Sequence, residues 1–188
     1  MPFYDLVKSQ NPDVVILASG ITPNIPDIPG ITGANVALSE DILTGKVVAG
    51  PNVVVMGGEL IGCETTEFLA DRGHKVAITR RSDKLALKMP GNIRTLLMRR
   101  LEEKKVAQYT GVSYKEINGR GLIIKNKEGV EQTLKTDTIV LATGAKPNSV
   151  LLDGLKESIS EVYQAGDCLK PRSIMDAVAD GYNIALKI

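Results

Sequence analysis

Glycines 57, 58 and 62 lie in the run Val53-Val54-Val55-Met56-Gly57-Gly58-Glu59-Leu60-Ile61-Gly62, between an apolar strand pattern and an amphipathic helix pattern. A strand feeding a glycine-rich turn and then a helix offers an anion the unpaired N–H groups and positive dipole end of the helix. That arrangement suits a pyrophosphate, and a second strand about 20 residues further on is the spacing of a dinucleotide fingerprint. The register is imperfect. Gly57 and Gly62 fill the first and third glycine positions of G-x-G-x-x-G, but Glu59 fills the second. Glycine there lets the backbone approach the phosphates. A glutamate adds bulk and negative charge, and is expected to restrain affinity. Leu60 and Ile61 complete the turn that would face the ligand.

The second apolar strand, Lys75 to Thr79, ends in Arg80-Arg81. An acid at that place accepts the ribose 2′-hydroxyl of NAD, whereas an arginine accommodates the 2′-phosphate of NADP. A planar guanidinium matches phosphate in a bidentate way. Arg80, with Arg81 behind it, is therefore expected to act as a 2′-phosphate clamp, making NADP the expected cofactor ahead of NAD. Cys63 and Cys168 are far apart in sequence, and His74 is the chain's single histidine. They form no nucleophile pair or metal-ligand spacing, so no catalytic residue and no metal site is expected. Cys63 reads as helix packing and His74 as a surface residue.

The elements that would position these residues follow from apolar periodicity and turn residues. Apolar content is 43% and charged content 24%, as in an ordinary globular protein. No apolar run approaches the ~18 residues of a membrane span, and Met1-Pro2-Phe3-Tyr4-Asp5 does not read as a signal peptide. A cytoplasmic protein with reduced cysteines and no membrane partner is expected. Net charge is +1, yet Arg80 to Lys105 holds nine Lys or Arg against three acids. That segment lacks the aromatic residues that stack on bases, which argues against a nucleic-acid partner.

Asp13 to Ala18 reads as a buried strand, followed by a connector with Pro23, Pro26 and Pro29 that excludes helix interior and central strand. A short helical turn is expected near Glu40 to Leu43. The strand Asn52 to Met56 precedes a helix reaching about Arg72. After Pro90-Gly91 comes a helix with Ile93, Leu96, Leu97 and Leu101 on one stripe. Short strands follow at Val106 to Tyr109, Val112 to Ile117, Gly121 to Lys125 and Gln132 to Lys135. Asn118-Gly119 and Glu128-Gly129 separate the later ones, as in an antiparallel meander. Thr138 to Ala142 is a buried strand, Val162 to Ala165 a short one, and the last helix gathers Ile174, Ala177, Val178, Gly181, Ala185 and Ile188 on one face. Val14 to Gly20 with Pro23 and Ile139 to Gly144 with Pro147 repeat one pattern, read as two crossings between domains.

The stretch Gly166-Asp167-Cys168-Leu169-Lys170-Pro171-Arg172-Ser173-Ile174-Met175-Asp176-Ala177 resembles the G-D-C-x-x-P-R-x-I-x-D-A ending of the flavin-binding half of old yellow enzyme-type reductases. That group, which includes 2,4-dienoyl-CoA reductase and related NADH:flavin oxidoreductases, belongs to the pyridine nucleotide-disulfide reductase-like superfamily. Gly58 to Glu64 and Asp137 to Asn148 match it less selectively. The resemblance implies that Glu64 lies near the nicotinamide amide and that Asp167, after Gly166, bonds the ribityl chain of FAD, with further contacts near Ile174 and Ala177. Gly144 falls at the second crossing. It also implies a discontinuous FAD domain with the NAD(P) domain inserted. The first flavin fingerprint, the FMN barrel and the iron–sulfur cysteines of such enzymes are missing here, so the chain reads as a fragment.

The expected fold is α/β, a Rossmann-like FAD/NAD(P)-binding three-layer arrangement of parallel sheet, helices and β-meander. Residues 1–45 would be the first crossing segment of the FAD domain, 46–145 the NAD(P) domain and 146–188 the returning FAD segment. The parent enzyme would pass hydride from NAD(P)H to FAD, within an enoate or dienoyl-CoA reductase completed by the remaining domains. The chain alone is expected to hold no FAD and to be inactive. Two alternatives stand: a reductase of a quinone, disulfide or carrier protein in the same superfamily, or a non-catalytic nucleotide-binding domain.

Overall fold

The computed structural model describes residues 2–188. Along the chain these form α1 (Pro2–Ser9), β1 (Val14–Leu17), β2 (Ile21–Pro23), β3 (Val36–Leu38), α2 (Ser39–Leu43), β4 (Asn52–Met56), α3 (Leu60–Asp71) and β5 (Lys75–Arg80). Then come α4 (Gly91–Glu103), β6 (Ala107–Thr110), β7 (Ser113–Asn118), β8 (Gly121–Lys125), β9 (Glu131–Lys135), β10 (Thr138–Leu141), β11 (Ala145–Pro147), α5 (Leu152–Lys156), β12 (Glu161–Gln164) and α6 (Ile174–Ala185). A 3₁₀ turn at Gly166–Cys168 precedes α6. None of the described helices is long and apolar enough to cross a membrane.

Residues 25–144 form one compact unit. Its parallel sheet has the order β3-β10-β4-β5-β6, with Val54 opposite both Ile139 and Ala77. The central strand β4 is apolar throughout Val53–Met56 because both faces are covered. Alternate side chains serve different layers. Val53 and Val55 meet Cys63, Leu69, Leu97 and Leu101 of the helices. Val54 and Met56 meet Ile117, Leu122, Ile124 and Leu134 of the meander β7-β8-β9. Burying each such Val, Leu or Ile contributes about 1.5–3 kcal/mol, so the expected three-layer α/β arrangement has a core on each side of the sheet.

Particular boundaries and faces differ from the sequence reading. Residues 25–45 belong to this unit rather than to the first segment, since β3 pairs with β10 and Pro29 O accepts from Ile117 N at 2.8 Å. The strand Ala107–Thr110 extends the parallel sheet by pairing with β5. On α4, Leu97 and Leu101 are buried, whereas Ile93 and Leu96 of the expected stripe are about half exposed.

The other unit comprises residues 1–24 and 145–188. Here β1 runs parallel to β12, and the two exits containing Pro23 and Pro147 pair antiparallel as β2 and β11. Its small core joins Leu17, Leu155, Ile159 and Cys168. The apolar face expected on α6 is not packed within the unit: Ile174, Val178 and Ile188 are exposed, and Ile184 is the buried residue of the helix.

Candidate functional site

In the inserted unit, the turn after β4 is built by close backbone approach. Gly57 adopts φ +114°, and a Cβ on it would stand 2.0 Å from Ala142 O at the exit of β10. A Cβ on Gly62 would stand 1.9 Å from Gly57 O. These two positions therefore exclude any side chain, and their absence of one seats the first turn of α3 on the strand exit. Gly57 N donates to Thr79 O at 3.0 Å, and Ala142 N to Met56 O at 2.8 Å. The turn sits beside the border between β4 and β10, where the strand order reverses, and ligands bind at such switch points in open α/β sheets.

The first intrahelical bond of α3 runs from Cys63 N to Glu59 O, so the N–H groups of Leu60, Ile61 and Gly62 have no acceptor in the helix. Glu59 is the N-cap residue but makes no side-chain cap, and the first turn carries no acid. Leu60 and Ile61 are roughly half exposed. This is an uncapped positive helix end, open to an anion.

The Glu59 carboxylate reaches Arg80 at the end of β5, where Arg80 Nη2 donates to Glu59 Oε1. Arg80 Nη1 donates to Gly58 O at 2.7 Å. Its Nε is buried without a hydrogen-bond partner. Gly58 O also accepts from Ala86 N at 2.7 Å, tying the segment after β5 onto the glycine turn. Burial opposes ionisation of Glu59, but the hydrogen bond and charge of Arg80 outweigh it and hold the carboxyl below its ordinary value of 4.5. The guanidinium expected to clamp a 2′-phosphate is thus directed under the turn. Arg81 is exposed, and its side chain makes no hydrogen bond or ion pair among the described residues. Glu64 is exposed one turn into α3, and Gly144 is exposed at the exit of β10 with φ +93°.

Cys63 is fully buried, and burial pushes its thiol up to about 11. It is neutral at physiological pH and serves packing. His74 is half-buried rather than a plain surface residue, its Nδ1 hydrogen-bonded with Gly50 O at 2.8 Å.

In the other unit, Gly166, Asp167, Ile174 and Ala177 all line one cavity of about 360 Å³. Arg172 and Gly20 line it too, and neither was singled out as a site residue from sequence. Gly166 N donates to Asp180 Oδ2 at 3.0 Å, and Arg172 N donates to Asp167 Oδ1 at 3.2 Å. The Arg172 guanidinium pairs with Asp180. The start of α6 is closed by a capping box in which Asp176 N donates to Ser173 Oγ and Ser173 N to Asp176 Oδ2. This helix end is satisfied by its own residues, in contrast to α3.

The fold is that of a Rossmann-like FAD/NAD(P)-binding α/β domain. Residues 7–181 match the model of the pyridine nucleotide-disulphide oxidoreductase family, and the chain belongs to that family. It is 33% identical over 189 residues to an NADH oxidase of Thermoanaerobacter brockii, covering 98% of this chain and 29% of the relative. It is 32% identical over 179 residues to a bilirubin reductase of Mediterraneibacter gnavus, covering 95% and 28%. A solved structure of 2-naphthoyl-CoA reductase in complex with 2-naphthoyl-CoA superposes with TM-score 0.93 at 31% identity, over 98% of this chain and 28% of that one. The chain spans less than a third of the length of each of these proteins.

Proposed function

We propose that Gly57–Gly62 holds the pyrophosphate of a nicotinamide dinucleotide, and that the chain is the NAD(P)H-binding part of a flavin-dependent oxidoreductase. The observation that carries this is the uncapped start of α3, seated on β4 by two glycines that admit no side chain. Within that reading the N–H groups of Leu60, Ile61 and Gly62 receive the phosphates, and the exposed Glu64 lies toward the nicotinamide end. When bound, the dinucleotide would supply hydride chemistry toward a flavin, and the residues of the turn would supply binding, orientation and electrostatics. In the other unit, Gly166 and Asp167 are the residues for the flavin, supported by the cavity they share with Ile174 and Ala177.

The parent protein is proposed to be a reductase of the enoate or dienoyl-CoA type. The 31% identity to 2-naphthoyl-CoA reductase and the Gly166 to Ala177 ending support this, with substrate reduction assigned to domains outside the chain. Titration with NADH and NADPH, followed by nicotinamide fluorescence, tests the nucleotide site. Saturable binding that Gly62→Val abolishes, with α/β circular dichroism retained, is expected. Equal binding by the native and Gly62→Val proteins would contradict the site.

A further inference from the structure

We propose that Glu59 is the ribose-binding acid of this site and that it selects NADH over NADPH. The inference rests on the dinucleotide reading above and deepens it. In a dinucleotide fold the acid that accepts the ribose 2′-hydroxyl stands at the end of the second strand. That place in the chain, the end of β5, holds Arg80.

The structure brings a carboxylate there by another route. Glu59 leaves the glycine turn, and its carboxylate meets the guanidinium that Arg80 extends from the end of β5 toward that turn. Of the pair, the acid is the outward member: the Glu59 side chain is 36% exposed and that of Arg80 11%. Arg80 is fixed from beneath by Gly58 O, so it acts as the positioning residue for the carboxylate. Glu59 Oε1 is taken by Arg80, while among the described residues Oε2 has only Lys88 N, at 3.5 Å. An ionised carboxylate has room for about four hydrogen bonds, which leaves Oε2 free to accept ribose hydroxyls. A 2′-phosphate at the same place meets a like charge, and Arg80, the last residue of the strand, is already paired, which leaves the exposed Arg81 alone to offset that charge. The pair thus presents a carboxylate where Arg80 alone would present a guanidinium, so an arginine at the end of β5 is not by itself the mark of an NADPH site.

The test is calorimetric titration of the 188-residue chain with NADH and with NADPH, repeated on Glu59→Gln and Glu59→Gly, with circular dichroism to establish folding. The native chain is expected to bind NADH at least about tenfold more tightly, the size of one like-charge contact at a partly exposed site. Glu59→Gln, which keeps the shape, is expected to narrow the gap. Glu59→Gly releases Arg80 to join the unpartnered Arg81, and is expected to reverse the preference. Native binding of NADPH as tight as that of NADH would overturn the inference, as would a preference unchanged in both variants. If native protein binds neither cofactor but Glu59→Gly binds one, Glu59 is an excluding residue; the inference falls and the site stands. Binding of neither cofactor by any of the three proteins would overturn the dinucleotide reading as well.

Discussion

A methyl group placed on Gly62 would sit 1.9 Å from the carbonyl oxygen of Gly57, well inside van der Waals contact. Gly62→Ala must therefore push α3 off the strand exit, an overpacking cost of about 1–3 kcal/mol. Chemical denaturation is expected to show that loss, together with weakened dinucleotide binding. Unchanged stability and affinity would mean that the helix start has room to move. The glycines were legible in the sequence because spacing and flanking patterns specify them. The destination of Glu59 was not. Its partner Arg80 is 21 positions away and becomes a neighbour only because β4 and β5 pair in register. Sequence position assigns Glu59 and Arg80 to the phosphates separately, one as a restraint and one as a clamp, whereas the structure pairs them with each other. Arg172 stands in the Gly166 to Ala177 ending but gains a role only in the structure, once Asp167 and Asp180 converge on it.

At the level of elements, α3 and α4 are joined across their outer faces by Glu67. Its carboxylate accepts from Arg100 Nε at 2.6 Å and Nη2 at 3.1 Å, and from Lys104 Nζ at 2.7 Å. The Arg100 hydrogen bond, opposed by burial and reinforced by Lys104, lowers the Glu67 carboxyl from 4.5 to about 2. A carboxyl whose folded pKa is depressed contributes stability that is complete above the unfolded value and is lost as pH falls through the folded one. The contribution of Glu67 is accordingly present above about 4.5 and lost between there and about 2. After allowance for solvent screening of the partly exposed cations it amounts to about 1 kcal/mol. Glu67→Gln is expected to lower stability at pH 7 by that amount, and the native-minus-variant difference to shrink as pH falls from about 4.5 to about 2. A difference independent of pH across that window would remove the ion cluster from the account. Strand positions were legible because β4 and β10 are continuous apolar runs buried on both faces. Helix faces were less so: periodicity put Ile93 and Leu96 with Leu97 and Leu101, but the sheet covers only the last two. On α6 the apolar residues share a face that its own unit leaves uncovered, which periodicity alone does not distinguish from a core stripe.

For the molecule as a whole, chemistry divides between the two units. The inserted unit of residues 25–144 carries Gly57, Glu59, Gly62, Arg80 and Arg81. The discontinuous unit carries Gly166, Asp167, Ile174 and Ala177 around its own cavity. The alternation of strands and helices announced an inserted α/β unit, and the repeated strand patterns announced a chain that leaves one unit and returns. The first boundary was misplaced because β3 is a three-residue strand, too short to register as a period. Whether a nicotinamide dinucleotide binds at the glycine turn is read by backbone amide chemical-shift mapping of the isotopically labelled chain during titration with NADH. Saturating shifts centred on the amides of Gly58 to Gly62 are expected, with Arg80, Arg81 and Gly144 affected at their margin. Saturating shifts centred on Gly166 to Ala177, with the amides of Gly58 to Gly62 unmoved, would contradict it.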